Sequence, residues 1–203
     1  RDVAAGDWWG SPESDAYFRP PLYAWFLALA FLLPGPDPLT AKLLLDGAAP
    51  AGVTGTTGNG GSLSTGAAPS TGDPLTTSVT TPIGGFVQLV EGSTSVATPV
   101  GYALFDQQVS VSAPAQTAAT PLQMVFQLHS SVLGGTSTAA IQVWRNGVLV
   151  PNCVGGSGAT VANPDPCVKQ RSSLSGGAGA RITVLSSQAS TWTFGKVTAV
   201  APS

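Results

Sequence analysis

Leu122-Gln-Met-Val-Phe-Gln-Leu-His129 carries the pattern on which the fold turns. Leu122, Met124, Phe126 and Leu128 fall on one face of an extended chain, and Gln123, Gln127 and His129 fall on the other. That period of two marks a strand with one face buried. The same theme recurs on both sides of it, at Phe86–Val90, Val109–Val111, Ile141–Val143, Ile182–Val184 and Trp192–Phe194. In Trp144-Arg-Asn-Gly-Val148, Asn146 and Gly147 stand between two β-prone runs. Both central residues of a type I′ hairpin turn need positive φ, so this pair predicts a hairpin there. About seven short strands with no helical periodicity predict a mainly β fold, an Ig-like β-sandwich over residues 83–203, with a small barrel as the alternative.

The composition departs from that of an average soluble domain. Only 9% of the 203 residues are charged, against roughly 25% in general, and the formal net charge is -2. Nucleic-acid binding needs clustered Lys and Arg to displace counterions, and no such cluster occurs, so that class is excluded. The charge is unevenly spread: residues 1–46 hold six acids and three bases, residues 47–82 one acid, and residues 83–203 three acids and five bases. Three segments with different textures follow from this.

In the first, residues 1–46, Leu22–Leu33 is an unbroken apolar run between Pro20-Pro21 and Pro34-Gly35-Pro36. Pro at a first turn starts a helix and Pro-Gly-Pro stops one, which predicts a short helix there. At about 1.5 Å per residue it extends roughly 18 Å, too short for the ~30 Å of bilayer hydrocarbon. Being apolar on every face, it must be buried in protein or lipid. A packed hairpin in a soluble core is one reading. The favoured reading is an interfacial anchor on a membrane or membrane protein, with Trp8, Trp9, Tyr17, Tyr23, Trp25, Phe26, Leu29 and Phe31 making the contact. A signal peptide fits less well, because the stretch before the run is acidic where a basic one is expected.

In the second segment, Gly47–Pro82, 30 of 36 residues are Gly, Ala, Ser, Thr or Pro. A sequence so poor in large apolar side chains predicts an extended linker laid along a partner's surface; a segment folded back on its own domain is the alternative.

The third segment contains both cysteines. Cys153 and Cys167 flank a stretch without core-forming residues of its own, so a disulfide stapling that loop is the favoured reading. Such a bridge implies an oxidising, extracytoplasmic compartment. Free thiols and a metal site are the alternatives, and with a single His and no paired Cys motif zinc is disfavoured.

Two resemblances bear on these segments. Tyr17-Phe-Arg-Pro-Pro-Leu-Tyr-Ala-Trp-Phe-Leu-Ala-Leu-Ala-Phe-Leu-Leu33, followed by Pro-Gly-Pro-Asp-Pro-Leu-Thr-Ala-Lys-Leu-Leu, resembles the first-loop and second-helix region of polytopic lipid-linked-sugar glycosyltransferases. Those enzymes use an acidic residue in the first loop, a place Glu13 or Asp15 could take, together with many spanning helices that have no counterpart in this sequence. The likeness implies a membrane-embedding style rather than that activity. Ile141–Cys153, Asn163-Pro-Asp-Pro-Cys167 and Arg181–Gly195 resemble a β-rich module at the C-termini of secreted bacterial proteins, and the likeness reaches back to Gly85. It implies an extracytoplasmic module with the two cysteines bridged, and carries no activity with it.

Chemistry-bearing constellations are sparse. His129 lies beside Ser130 and Ser131, but Glu91, Asp106 and Asp165 form no recognisable motif with it, so a strand-end position is expected. Asp165 sits between prolines, where it should cap its loop. No spacing suits calcium, and Gly60-Gly61, Gly155-Gly156 and Gly176-Gly177 lack the Lys of a phosphate loop and read as turns. Trp144 and Trp192 could form a sugar-stacking platform, although core packing is the favoured reading. The expectation is a non-enzymatic structural subunit of a bacterial envelope assembly, without metal or cofactor, tethered to a membrane or to other protein subunits such as a photosynthetic reaction-centre and antenna complex. A pilin-like filament or surface-layer subunit and a glycan- or ligand-binding adhesion module are the alternatives.

Overall fold

The structure, a computed structural model, describes residues 52–198. The expected anchor residues Trp8, Trp9, Tyr17, Tyr23, Trp25, Phe26, Leu29 and Phe31 lie outside the described residues. So does the whole 1–46 segment.

Eleven strands run through the described chain: β1 (Gly52–Thr57), β2 (Gly61–Ser64), β3 (Leu75–Thr81), β4 (Gly85–Gly92), β5 (Tyr102–Ser112), β6 (Leu122–His129), β7 (Gln142–Arg145), β8 (Val148–Leu149), β9 (Cys167–Ser173), β10 (Gly179–Ser186) and β11 (Thr191–Val197). A four-residue helix, α1 (Ser130–Leu133), follows β6. The strands form two antiparallel sheets, in the orders β1-β4-β5-β11-β7-β8 and β2-β3-β6-β10-β9. The mainly β expectation therefore holds, and the six-stranded and five-stranded sheets enclose one core.

The alternating stretch that opened the reading is β6, and its side chains obey the alternation. Leu122, Met124, Phe126 and Leu128 are fully buried, while Gln123, Val125, Gln127 and His129 are partly exposed. Across the core Phe126 meets Trp192 and Phe194 of β11, at ring-centroid distances of 5.9 and 5.0 Å. Val87 and Leu89 of β4, Val109 of β5 and Ile182 and Val184 of β10 complete the packing between the sheets. Each such side chain, fully removed from water, contributes roughly 2 kcal/mol before the entropy of ordering it is subtracted.

The expected boundary at residue 83 is corrected by this topology. Residues 52–81, expected as part of an extended linker, supply three strands. β1 pairs with β4 at an edge of the larger sheet, and β2 pairs with β3, which pairs with the central strand β6. The segment has few large apolar residues, but Leu75 and Val79 are fully buried and draw on the core of the rest of the domain. Threonine provides what bulk does not: Thr57 on β1 and Thr81 on β3 share a buried hydrogen bond of 2.7 Å that joins the two sheets. β-branched Thr also favours strands. Of the two readings of this segment, folding back on its own domain is the one that describes residues 52–81.

Candidate functional site

The stapled end of the domain is built from the β7–β8 hairpin and the loop that follows it. Asn146 and Gly147 make the tight turn with φ of 48° and 78°, as the Asn-Gly signal requires. Asn146 also ties the hairpin to β11: its N–H donates to Thr191 O at 2.9 Å, and its Oδ1 accepts the Thr191 N–H at 3.3 Å.

Cys153 and Cys167 are bridged, with their Cα atoms 4.8 Å apart. The bridge does more than close a loop. On β10, Ile182 and Val184 face the main core, so Leu185 points to the opposite face of its sheet. There Cys153, Ala159, Ala162 and Cys167 cover Leu185 and form a small second core. The loop is also held at its edges: Val154 N–H donates to Asn163 O at 2.7 Å and Ala162 N–H to Ala118 O at 2.8 Å. Asp165 Oδ1 accepts the Ser187 N–H at 3.0 Å, pinning the Pro-Asp-Pro turn to the end of β10, a long-range tie where a cap within its own loop was expected.

Between hairpin and loop lies a cleft of about 370 Å³. Val148, Leu149, Val150 and Pro151 form one wall, and Pro164 and Pro166 lie opposite. Val148 and Leu149 stay 69% and 41% exposed although both are apolar. Arg145 borders the cleft, its Nη2 donating to Gln188 Oε1 at 3.2 Å while its buried Nε has no partner. A rim of this kind can seat an apolar group; among its described lining residues there is no nucleophile with a base.

The two tryptophans weighed as a sugar platform are not brought together. Trp192 is fully buried in the main core; Trp144, whose neighbour Val143 faces that core, lies on the outer face of the same sheet, packed edge-on against Tyr102 at 5.1 Å. His129 is the N-cap of α1: its Nδ1 accepts the Ser131 N–H at 3.2 Å and lies 2.9 Å from Ser131 Oγ. Among the described residues no group of His, Cys, Asp and Glu is placed to hold a metal ion, and no helix is long and apolar enough to cross a membrane.

One functional group was not visible in the pattern. Glu91, near the end of β4, faces inward and is only 5% exposed. Its Oε1 accepts the Thr65 hydroxyl at 3.0 Å, and Oε2 is buried without a partner. Burial pushes its pKa from 4.5 up to about 7; the polar groups of Thr77 and Thr65 beside it oppose the rise, and the Asp73 charge adds to it. The inward parity of Val87, Leu89 and Glu91 on β4 was the signal that could have found it. Between pH 4.5 and about 7 the folded chain holds a proton that the unfolded chain has released, so stability falls as pH rises through that window. Allowing for solvent screening, the expected loss is about 2 kcal/mol. Denaturant melts from pH 4 to 8 should show the decline, and Glu91→Gln should flatten it.

Comparison with family models, with curated proteins and with solved structures returns no match to this chain.

Proposed function

We propose that the chain is a non-enzymatic structural subunit of a bacterial envelope assembly, with its β domain outside the cytoplasm and other protein subunits as its partners. The observation that carries this reading is the stapled end. A disulfide, a second small core and an Asp165 hydrogen bond are all spent on holding one cleft rigid, and the cleft's rim keeps Val148 and Leu149 in water. Exposed apolar side chains on a stiff frame suit a protein contact, because little ordering entropy remains to be lost on binding. The bridge supports an oxidising compartment. The 1–46 segment would supply a membrane contact through residues 22–33, and a photosynthetic reaction-centre and antenna complex is one host of the right kind.

The strand order supports an Ig-like reading of the sandwich. β3-β6-β10-β9 follows the A-B-E-D order of an immunoglobulin sheet, and β11-β7-β8 follows F-C-C′. The place beside β11 that strand G takes in that fold is held by β5, which comes earlier in the chain. A filament or surface-layer role is the second reading. It draws on β1, an edge strand among the described residues and without a charged side chain, whose outer backbone groups could pair with another chain.

The test is Val148→Asp in the full chain expressed in its native envelope. Val148 is exposed, so the domain should keep its thermal midpoint. Migration on a native gel should shift from a large assembly toward the free chain. Unchanged migration would count against the cleft as the contact.

A further inference from the structure

Away from the stapled end, at the opposite limit of β7 and around the turn after α1, two hollows of about 580 and about 330 Å³ share Gly135, Thr136 and Ser137. Together they fall within the volume range of small-ligand sites. Their lining mixes apolar surface, from Leu133, Ala139, Ala140 and Val197, with hydroxyl-bearing and cationic side chains. Ser130, Ser137, Thr138 and Ser173 carry hydroxyls there, those of Thr138 and Ser173 lying 3.2 Å apart; Arg171 enters from β9, and Lys196 enters from β11. Among the described residues no Asp or Glu lines either hollow.

Arg171 is the distinctive member. It is partly buried, and its guanidinium is fixed by neutral acceptors: Nε donates to Ile141 O at 2.7 Å and Nη1 to Asn152 Oδ1 at 2.6 Å. Burial lowers its pKa, and no carboxylate offsets that among the described residues. A cation that has lost part of its hydration and gained no counter-charge favours an anion that can reach it. Lys196 Nζ lies on the other side of the shared turn, 4.0 Å from where a Cβ on Gly134 would stand. Thr136, on the turn itself, has a buried hydroxyl without a partner among the described residues.

We propose that this double hollow binds an acidic saccharide, its carboxylate paired with Arg171 and its hydroxyls hydrogen-bonded to Ser137 and Ser173. Hydroxyls donate and accept, which suits a polyol. Guanidinium recognises carboxylate geometry with paired donors. Two cations set apart by the shared turn are too few for a polyphosphate chain, and among the described residues no aromatic side chain lines the hollows to stack on a nucleobase. A neutral sugar would leave the Arg171 charge uncompensated. Its lining shares no residue with that of the cleft at Val148, although Arg171 is tied to Asn152 beside Pro151 and Cys153, so Lys196→Gln and Val148→Asp are the variants that test the two sites apart.

The experiment is titration calorimetry and ligand-observed NMR on the full oxidised chain, using trigalacturonate, maltotriose and sodium sulfate as probes. Trigalacturonate should bind about tenfold or more tightly than maltotriose and weaken as salt is raised. Lys196→Gln should weaken it several-fold. Arg171→Gln should abolish it, and because Arg171 also holds Ile141 and Asn152, its thermal midpoint is measured alongside. Val148→Asp should bind like the parent. Equal binding of the neutral and acidic trisaccharides, sulfate binding as tightly as trigalacturonate, no binding at all, or no effect of Lys196→Gln would each overturn the proposal.

Discussion

Phe126→Ala should lower the unfolding free energy by about 4 kcal/mol, a large share of the roughly 5–15 kcal/mol that holds a domain of this kind folded. Phe126 has no exposed surface and stands where the two sheets meet, against Trp192 and Phe194 from the opposite one. Its strand neighbours are Thr77 on β3 and Ile182 on β10, both fixed by backbone ladders on either side of β6. Neither sheet can close over the gap without breaking those ladders, so the cavity persists and its cost adds to the lost transfer free energy. In urea the midpoint should drop with little change in slope. Val125→Ala, one residue away but on the opposite face of β6, should cost less than about 1 kcal/mol. Similar losses at the two positions would contradict the assignment of faces.

Removing the bridge with the double variant Cys153→Ala/Cys167→Ala should cost about 3 kcal/mol, the chain-entropy value for a loop of roughly this length. The two residues are 14 apart in sequence, and the segment between them has only Ala159 and Ala162 to bury. Without the covalent link, those small side chains cannot hold the loop over Leu185. The loss should be local first. Amide exchange over residues 154–166 should rise well before exchange in β6, which belongs to the main core. Reduction of the parent chain should reproduce the effect. If the loop kept its protection after reduction, the second core would be self-supporting and the bridge dispensable.

Side-chain size set what could be read from the sequence. Strands with large apolar residues at alternate positions, such as β6, β10 and β11, announced themselves, and the Asn146-Gly147 turn was explicit because its backbone geometry admits few residues. β1, β2 and β3 were hidden in a Gly/Ser/Thr-rich stretch, since the burial of β1 and β3 depends on partners more than 20 residues further along and β2 pairs with β3 in turn. The alternation of Leu75, Thr77, Val79 and Thr81, all fully or nearly fully buried, was present but muted by threonine. β9 escaped for a related reason. Only Cys167 and Val168 at its start are buried; the Lys-Gln-Arg-Ser-Ser that follows faces solvent or the hollow at a sheet edge. Of the stapled end, the bridge and the turn were legible. The cleft and the hydroxyl-lined hollows were not, because each is formed by loops that only the topology brings side by side.

The proposal that the chain acts as one part of an assembly is tested most directly by its mass in the native envelope. The chain has a mass of 20.3 kDa. Gently solubilised membranes, resolved by native electrophoresis and mass photometry with a tag on the chain, should place it in a particle several times that size that survives mild detergent. A monodisperse particle of one chain's mass, found without detergent or partner, would contradict the account.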